Sequence, residues 1–353
     1  MPPTNRAAFY PSDKAPLLQV EESPYPDVGD DEIIIKVAAA AINPVDHKIQ
    51  DLGTDVFPFL KYPLAGGLDV AGTVVTAGRN VTRFQAGDRV LSFPSDFATR
   101  AAGFQEYVAA PASMSALVPR GTPLVDAAVL PSGVATAAVA LHQYLGLAYP
   151  TATSPAAAGG ERESKGTLLV AGGASAVGSN AIQLGVAAGY EVIATASRKN
   201  FAHCAALGAS AVFDYGEAGV AGALRDALRG RRCVGAFSAQ EGANALVFDV
   251  MATADVAGGS ARRVACAILF GPDGVPAGVA AEMVHAYWIK DTPLADAVFG
   301  SFLPAALASG RYRCEPRPRV VGHGLESVQA AFDIGKTYTV SCEKLVVTLS
   351  GET

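Results

Sequence analysis

The stretch VAGGASAVGS, residues 170–179, decides the fold. An apolar run, TLLVA at 167–171, ends in the paired glycines Gly172 and Gly173. Gly178 follows five residues on, inside a segment, VGSNAIQLGVAAG, with helical character. A strand that ends in glycines and feeds a helix leaves backbone N–H groups unsatisfied at the helix N-terminus. Their partial positive charge suits a pyrophosphate. Against the dinucleotide fingerprint G-x-G-x-x-G, the matching positions are Gly173, Ser175 and Gly178, so a serine replaces the middle glycine. Gly173, Ser175, Ala176, Val177 and Gly178 are therefore expected to hold the phosphates. The alternative is a tight strand–helix turn with no ligand. A Walker A loop is excluded by the missing G-K-[ST] ending, and a nucleophile elbow by Val177 where glycine is required.

Downstream, the chain alternates. EVIATAS (191–197), AVFDY (211–215), CVGAFSA (233–239) and RRVACAIL (262–269) read as strands. FAHCAALG, closed by Gly208, and VAGALRDALRG read as helices. This rhythm predicts a doubly wound parallel sheet. NAD-binding chains place an acidic residue about 20 residues after the glycines, where it accepts from a ribose hydroxyl. Here the second strand ends in Ser197, Arg198 and Lys199, with no carboxylate. Hydroxyl and cationic donors hold a 2′-phosphate that a carboxylate would repel. Tyr215 adds a hydroxyl and an adenine contact. The expected cofactor is NADP(H), with solvated charges at a helix start as the alternative.

Upstream, EIIIKVAAAAI (32–42), GGLDVAGTVVT (66–76), GDRV (87–90), FQEYVAA (104–110) and SALV (115–118) suggest short strands between Gly, Pro and Asp, a β-rich, barrel-like domain. Residues 124–145 are apolar at helical spacing, and 149–166 read as a long surface loop. After about residue 285 the pattern turns irregular. It ends in a helix at 325–336 and a strand at 343–350, which we expect to return to the first domain.

The 353 residues favour two domains. Half are hydrophobic and 17% charged, as in a packed enzyme. A net charge of −6 argues against a nucleic-acid or anionic-membrane partner. No signal peptide and no membrane span are read, and a cytoplasmic location is expected. Cys204, Cys233, Cys266, Cys314 and Cys342 are scattered and unpaired in spacing, so reduced thiols are expected.

INPVDHK (42–48), LPSGVATAA (130–138), GGASAVGSNAIQL (172–184), IATASRKNF (193–201), VFDY (212–215) and EKLVV (343–347), with GGLDVAG and AGDRV, carry a resemblance across nearly the whole chain. It resembles the medium-chain dehydrogenase/reductase superfamily, in its zinc-independent, quinone-oxidoreductase-like branch. Within that branch it is similar to fungal trans-acting enoyl reductases of the lovastatin-pathway type and to toxD-like reductases. The resemblance implies an α/β fold with a Rossmann domain at 131–284 and a GroES-like domain built from 1–130 and 285–353. Zinc-dependent relatives carry a catalytic Cys and a G-H-E motif. At those places this chain has Ala40–Ala41 and Gly66–Gly67–Leu68–Asp69, so no metal is expected.

The implied reaction is hydride transfer to an α,β-unsaturated carbonyl in fungal-type secondary metabolism. The substrate is a free or carrier-bound enoyl thioester, with a polyketide synthase as partner. A quinone or small enone is the alternative acceptor, and a non-catalytic NADP-binding protein the alternative class. Lys48 is the candidate for positioning the thioester. Thr136 matches a hydroxyl that faces nicotinamide or substrate, and Asn43 holds the cleft or cofactor. Asp46 is expected to fix the turn, and Ser132 is a weaker candidate. His47 is the one histidine singled out, beside Lys48, while Tyr287 and Trp288 line a tunnel or pack in the core. Arg311, Arg313, Arg317 and Arg319 form a basic patch able to meet an acidic carrier. Both monomer and homodimer are compatible with the resemblance.

Overall fold

The order of six parallel strands explains why the glycine turn can act as a site. In the computed structural model, which describes residues 3–94, 98–152, 164–255, 262–271 and 274–350, the chain divides into two compact units. These are Met1–Ser132 with Phe299–Thr353, and Gly133–Val298.

The second unit is built on strands Thr167–Ala171, Glu191–Ala196, Ala211–Asp214, Cys233–Ser238, Arg263–Cys266 and Ala280–Met283. Numbered in that order, they lie side by side as 3-2-1-4-5-6, every pair parallel. This is the doubly wound dinucleotide-binding order. The order reverses between Thr167–Ala171 and Cys233–Ser238, which are neighbours in register from Leu169↔Ala236 to Ala171↔Ser238. Helices Ala176–Ala187, Phe201–Ala206, Val220–Leu228 and Asn244–Thr253 connect the strands. Strand Thr167–Ala171 is buried along its whole length, as a central parallel strand must be.

The first unit is β-rich. Strand Glu32–Ala41 is its axis, pairing antiparallel with Asp69–Ala77 along most of its length. Its other edge is shared: Tyr107–Pro111 covers the first half and Glu343–Thr348 the residues Ala39–Ala41. Arg317–His323 adds in parallel to Glu343–Thr348. Asn5–Tyr10, Gln19–Ser23 and Leu64–Ala65 form a separate three-stranded sheet. Ile33, Ile35, Val37, Val70 and Val90 pack with Phe104 and Phe332 in the core, and helix Pro44–Leu52 packs on helix Val328–Lys336.

The run from 124, apolar at helical spacing, is helical in three pieces: Leu124–Ala127, Pro131–Ala138 and a wider turn over Val139–Tyr144. Pro131 has no N–H to continue the first turn and instead starts the second helix. The run Leu124–Tyr144 is long and apolar enough to cross a membrane, but 83% of its apolar 18-residue window is buried inside the protein. The segment after 285 is more regular than expected. It holds helical turns from Pro293 to Ala308 and the strand Arg317–His323. Pro293, Gly300 and Pro304 hide the helical period. Pro304 also lacks the N–H for Gly300, and the ladder just before it, over Asp296–Phe302, runs one residue wide. Of the loop expected at 149–166, residues 153–163 lie outside the described residues.

Candidate active site

In the second unit the glycine turn sits at the carboxyl end of strand Thr167–Ala171, at the switch in strand order, where open α/β sheets bind ligands. Gly172 has φ +82°, a left-handed conformation natural only to glycine, and a Cβ there would lie 2.4 Å from Cβ of Gln240. The strained position is thus one residue ahead of the first glycine of the fingerprint. Ser175 is the N-cap of the 12-residue helix Ala176–Ala187, and its Oγ accepts from Gly178 N. That hydroxyl also lies 2.8 Å from Gly172 O and 3.1 Å from Ala239 O. A serine in place of the middle glycine therefore caps the helix and ties the turn together. A Cβ on Gly178 would come within 2.1 Å of Gly172 O, so glycine is needed for helix and strand to approach. Ala176 and Val177 are the first two helical residues and half-buried; helix geometry gives their N–H groups no intrahelical acceptor. Two such donors on a helix of this length fit a dinucleotide pyrophosphate.

At the end of strand Glu191–Ala196, Ser197 accepts from Asn200 Nδ2 at 3.1 Å. Arg198 and Lys199 are exposed. Arg198 pairs with Glu217, and its Nε lies 4.0 Å from Asp214 Oδ2. The carboxylates missing from the second strand thus arrive from the end of the third, Asp214, and from just beyond it, Glu217, and a phosphate drawn to Arg198 competes with Glu217. Tyr215 is 55% exposed. Arg198, Phe201, Phe213, Asp214, Glu217 and Val220 line a small cavity of about 150 Å³. Thr136 is half-buried on helix Pro131–Ala138. Tyr287 stacks on His285 at 5.2 Å, and Trp288 meets the same ring edge-on at 5.1 Å, so these aromatics form a cluster among themselves.

In the first unit, Asn43 precedes Pro44, which opens helix Pro44–Leu52. Its backbone N–H donates to Asp46 Oδ2 at 2.7 Å. Its side chain faces inward: Nδ2 donates to Asp69 Oδ2 at 3.0 Å, and Oδ1 accepts from Lys344 Nζ at 2.6 Å. Ser132 Oγ lies 2.8 Å from both Asn43 Oδ1 and Asp69 Oδ2, and its single proton serves one of them at a time. Ser132 N donates to Asp69 Oδ1 at 2.6 Å. Lys344 Nζ is 2.8 Å from Asp69 Oδ2, and the two side chains are 5% and 0% exposed. Burial pushes the Asp46 carboxyl up to about 7, with Asp69 adding to the shift. The Asn43 N–H, Lys344 and the Gly67 N–H oppose it.

Asn43, Asp46 and Ser132, all named from sequence, are thus brought into one buried polar cluster. Its centre, Lys344 with Asp69, was missed. The signal available was a lysine inside EKLVV, a strand whose next three residues are buried apolar. Lys48 is half-buried on helix Pro44–Leu52, and His47 is buried with its ring edge-on to Tyr338 at 6.0 Å. Of the basic patch, Arg317 and Arg319 share Glu343 at 2.7 and 3.9 Å. Among the described residues, none of the five cysteines is joined in a disulfide. Among the described residues, no three His, Cys, Asp or Glu side chains are grouped to hold a metal ion.

Residues 29–120 match the alcohol dehydrogenase GroES-like domain family. The chain is 42% identical to dehydrogenase pigH of Monascus ruber, over 98% of this chain and 100% of that protein. It is 38% identical to trans-enoyl reductase himH of Aspergillus japonicus, over 98% of each. A solved alcohol dehydrogenase superfamily protein from Novosphingobium aromaticivorans shares the fold with a TM-score of 0.78 at 22% identity, covering 98% of this chain and 100% of that one. An α/β chain with a parallel Rossmann sheet, a separate GroES-like β domain and relatives this similar belongs to the medium-chain dehydrogenase/reductase family, in the enoyl-reductase-like group that its fungal relatives represent.

Proposed function

We propose that the protein is an NADPH-dependent, zinc-independent reductase of α,β-unsaturated thioesters. Its substrate is a polyketide-type enoyl chain carried by a synthase. The observation that carries the reading is the capped glycine turn at the switch point, which offers the Ala176 and Val177 N–H groups to a pyrophosphate. Ser197, Lys199 and, once released from Glu217, Arg198 supply donors for a 2′-phosphate, with Tyr215 beside them. The trans-enoyl reductase name of the himH protein supports the substrate class. The metal-free reading is supported by what surrounds Asp69: its carboxylate is already engaged by an ammonium, an amide and a hydroxyl. A dication placed there would face Lys344 directly.

When bound, NADPH supplies the hydride delivered to the β-carbon. Lys48 donates a hydrogen bond to the thioester carbonyl oxygen and stabilises the negative charge that develops there. Thr136 contributes a hydroxyl donor that orients the acceptor. Asn43 and Asp46 do not touch substrate; they set the start of the helix that carries Lys48. The test is purified protein with NADPH, crotonyl and longer enoyl thioesters, and a panel of quinones. Loss of reduced-nicotinamide absorbance with thioesters is expected. Oxidation by quinones alone would overturn the substrate class, and cofactor binding without turnover on any acceptor would overturn the enzymatic reading.

A further inference from the structure

Lys344 lies near the end of the chain, on strand Glu343–Thr348, yet its ammonium reaches the starts of two helices. Both begin the same way: a proline opens the helix, and a carboxylate accepts a nearby backbone N–H. At Pro44 the carboxylate is Asp46, accepting from Asn43 N. At Pro131 it is Asp69, accepting from Ser132 N at 2.6 Å. Proline at the first position leaves the neighbouring N–H groups to be satisfied by such acceptors. Lys344 Nζ bonds to Asp69 Oδ2 and to Asn43 Oδ1, and so touches both starts.

The charges also decide which way the Asn43 amide points. With an ammonium on one side and a carboxylate on the other, Oδ1 must face Lys344 and Nδ2 must face Asp69. A flipped amide would set its oxygen against Asp69 and its NH₂ against Lys344. Stability alone does not explain such an arrangement, because a buried ion pair is often replaced by well-packed apolar side chains without loss. What an apolar pair cannot do is orient an amide and cap a helix at the same time.

We propose that Lys344 is a positioning residue: by clamping Asn43 and Asp69 it sets the N-termini of the two helices that carry Lys48 and Thr136. Lys48 lies one turn into the first helix and Thr136 one turn past Ser132 in the second. A small rotation at either start therefore moves a functional side chain. The proposal rests on the reductase reading for its kinetic readout, but its structural readout does not.

The experiment compares wild type with the double variant Asp69→Asn/Lys344→Met, which removes both charges and leaves no uncompensated ion. Thermal midpoint, NADPH affinity, kcat on crotonyl thioester, and hydrogen exchange of the segments 43–52 and 131–138 are measured. The expected result is a thermal midpoint and NADPH affinity near wild type, with kcat lowered on the order of 10- to 100-fold. Exchange in both segments should rise about 10-fold while the rest of the chain is unchanged. Wild-type kcat and wild-type exchange in the double variant would overturn the proposal. If wild type reduces no enoyl thioester, the reductase reading fails and the exchange comparison alone decides this one: faster exchange in both segments supports it, unchanged exchange overturns it. Should the double variant not fold, Lys344→Arg carries the test, because it keeps a cation but replaces a point charge by a planar fork. Lowered kcat and faster exchange at a wild-type thermal midpoint then support the proposal, and unchanged values overturn it.

Discussion

Lys344 Nζ lies 2.8 Å from Asp69 Oδ2 with both side chains out of solvent, joining the last strand of the chain to the strand Asp69–Ala77. Removing one partner strands the other charge in the interior. Lys344→Met alone should lower stability by about 3–5 kcal/mol, and adding Asp69→Asn should restore most of it. Urea unfolding midpoints of the two variants check this. A double variant as unstable as Lys344→Met would show that the ammonium stabilises through something other than Asp69.

Asp46 makes stability depend on pH. Burial raises its folded value to about 7, so the folded protein keeps a proton that the unfolded chain releases above about pH 4. Between those values the folded state binds more protons, and this contribution falls as pH rises, to be lost above about 7. Asp46→Asn cannot titrate. Relative to wild type it should gain up to a few kcal/mol between about pH 5 and 8, at ~1.4 kcal/mol per pK unit. His142, pushed down to about 4 by burial, gives the opposite slope, but both proteins share it and it cancels in the difference. Thermal midpoints across that range are the measurement. A constant difference would mean that Asp46 is ionised in the fold.

Gly178→Ala should damage the turn. The added Cβ would sit 2.1 Å from Gly172 O, so strand and helix must part. A loss of about 1–3 kcal/mol in stability is expected from overpacking, together with weaker binding of NADPH in a fluorescence titration. Ser175→Ala, which removes the cap but no space, should cost only about 1 kcal/mol.

Arg198→Ala and Lys199→Ala separate the two nicotinamide cofactors. Each should raise KM for NADPH by about 10-fold, the worth of a hydrogen bond to a charged group, and leave KM for NADH unchanged. Glu217→Gln frees Arg198 from its carboxylate and should shift preference further toward NADPH. Equal effects on both cofactors would remove the 2′-phosphate from the reading.

Lys48→Met should reduce kcat/KM on the enoyl thioester by about 100-fold, as for loss of one donor to a developing oxyanion. Lys48 is only half-buried, so its thermal midpoint should stay near wild type. An unchanged kcat/KM would take Lys48 out of the reaction.

Much of the second unit was legible in the order of residues. An alternation of apolar runs and Gly-closed helical runs spaces the strands, and local contacts within each strand–turn–helix unit do the rest. The glycine turn could be read for the same reason: cap, helix start and strand end lie within ten residues of one another. Helix breaks were harder. Pro131 and Pro304 each sit inside an apolar run, and whether such a proline stops a helix or opens one depends on what satisfies the neighbouring N–H groups.

The identities of the candidate groups Asn43, Asp46, Ser132 and Lys48 were written in short local motifs, as were the helix signals around them. Their arrangement was not. Asn43, Asp69, Ser132 and Lys344 come from four distant parts of the chain and meet because the strands Glu343–Thr348 and Asp69–Ala77 both pair with Glu32–Ala41 and Ser132 bonds to Asp69. The same holds for Arg198, which a linear reading leaves free and the fold sets against Glu217. Periodicity and turn chemistry act over a few residues, so the chain by itself determined the elements and the glycine turn. Charge pairing acts over a few ångströms in space, so only the tertiary structure decided which ion meets which.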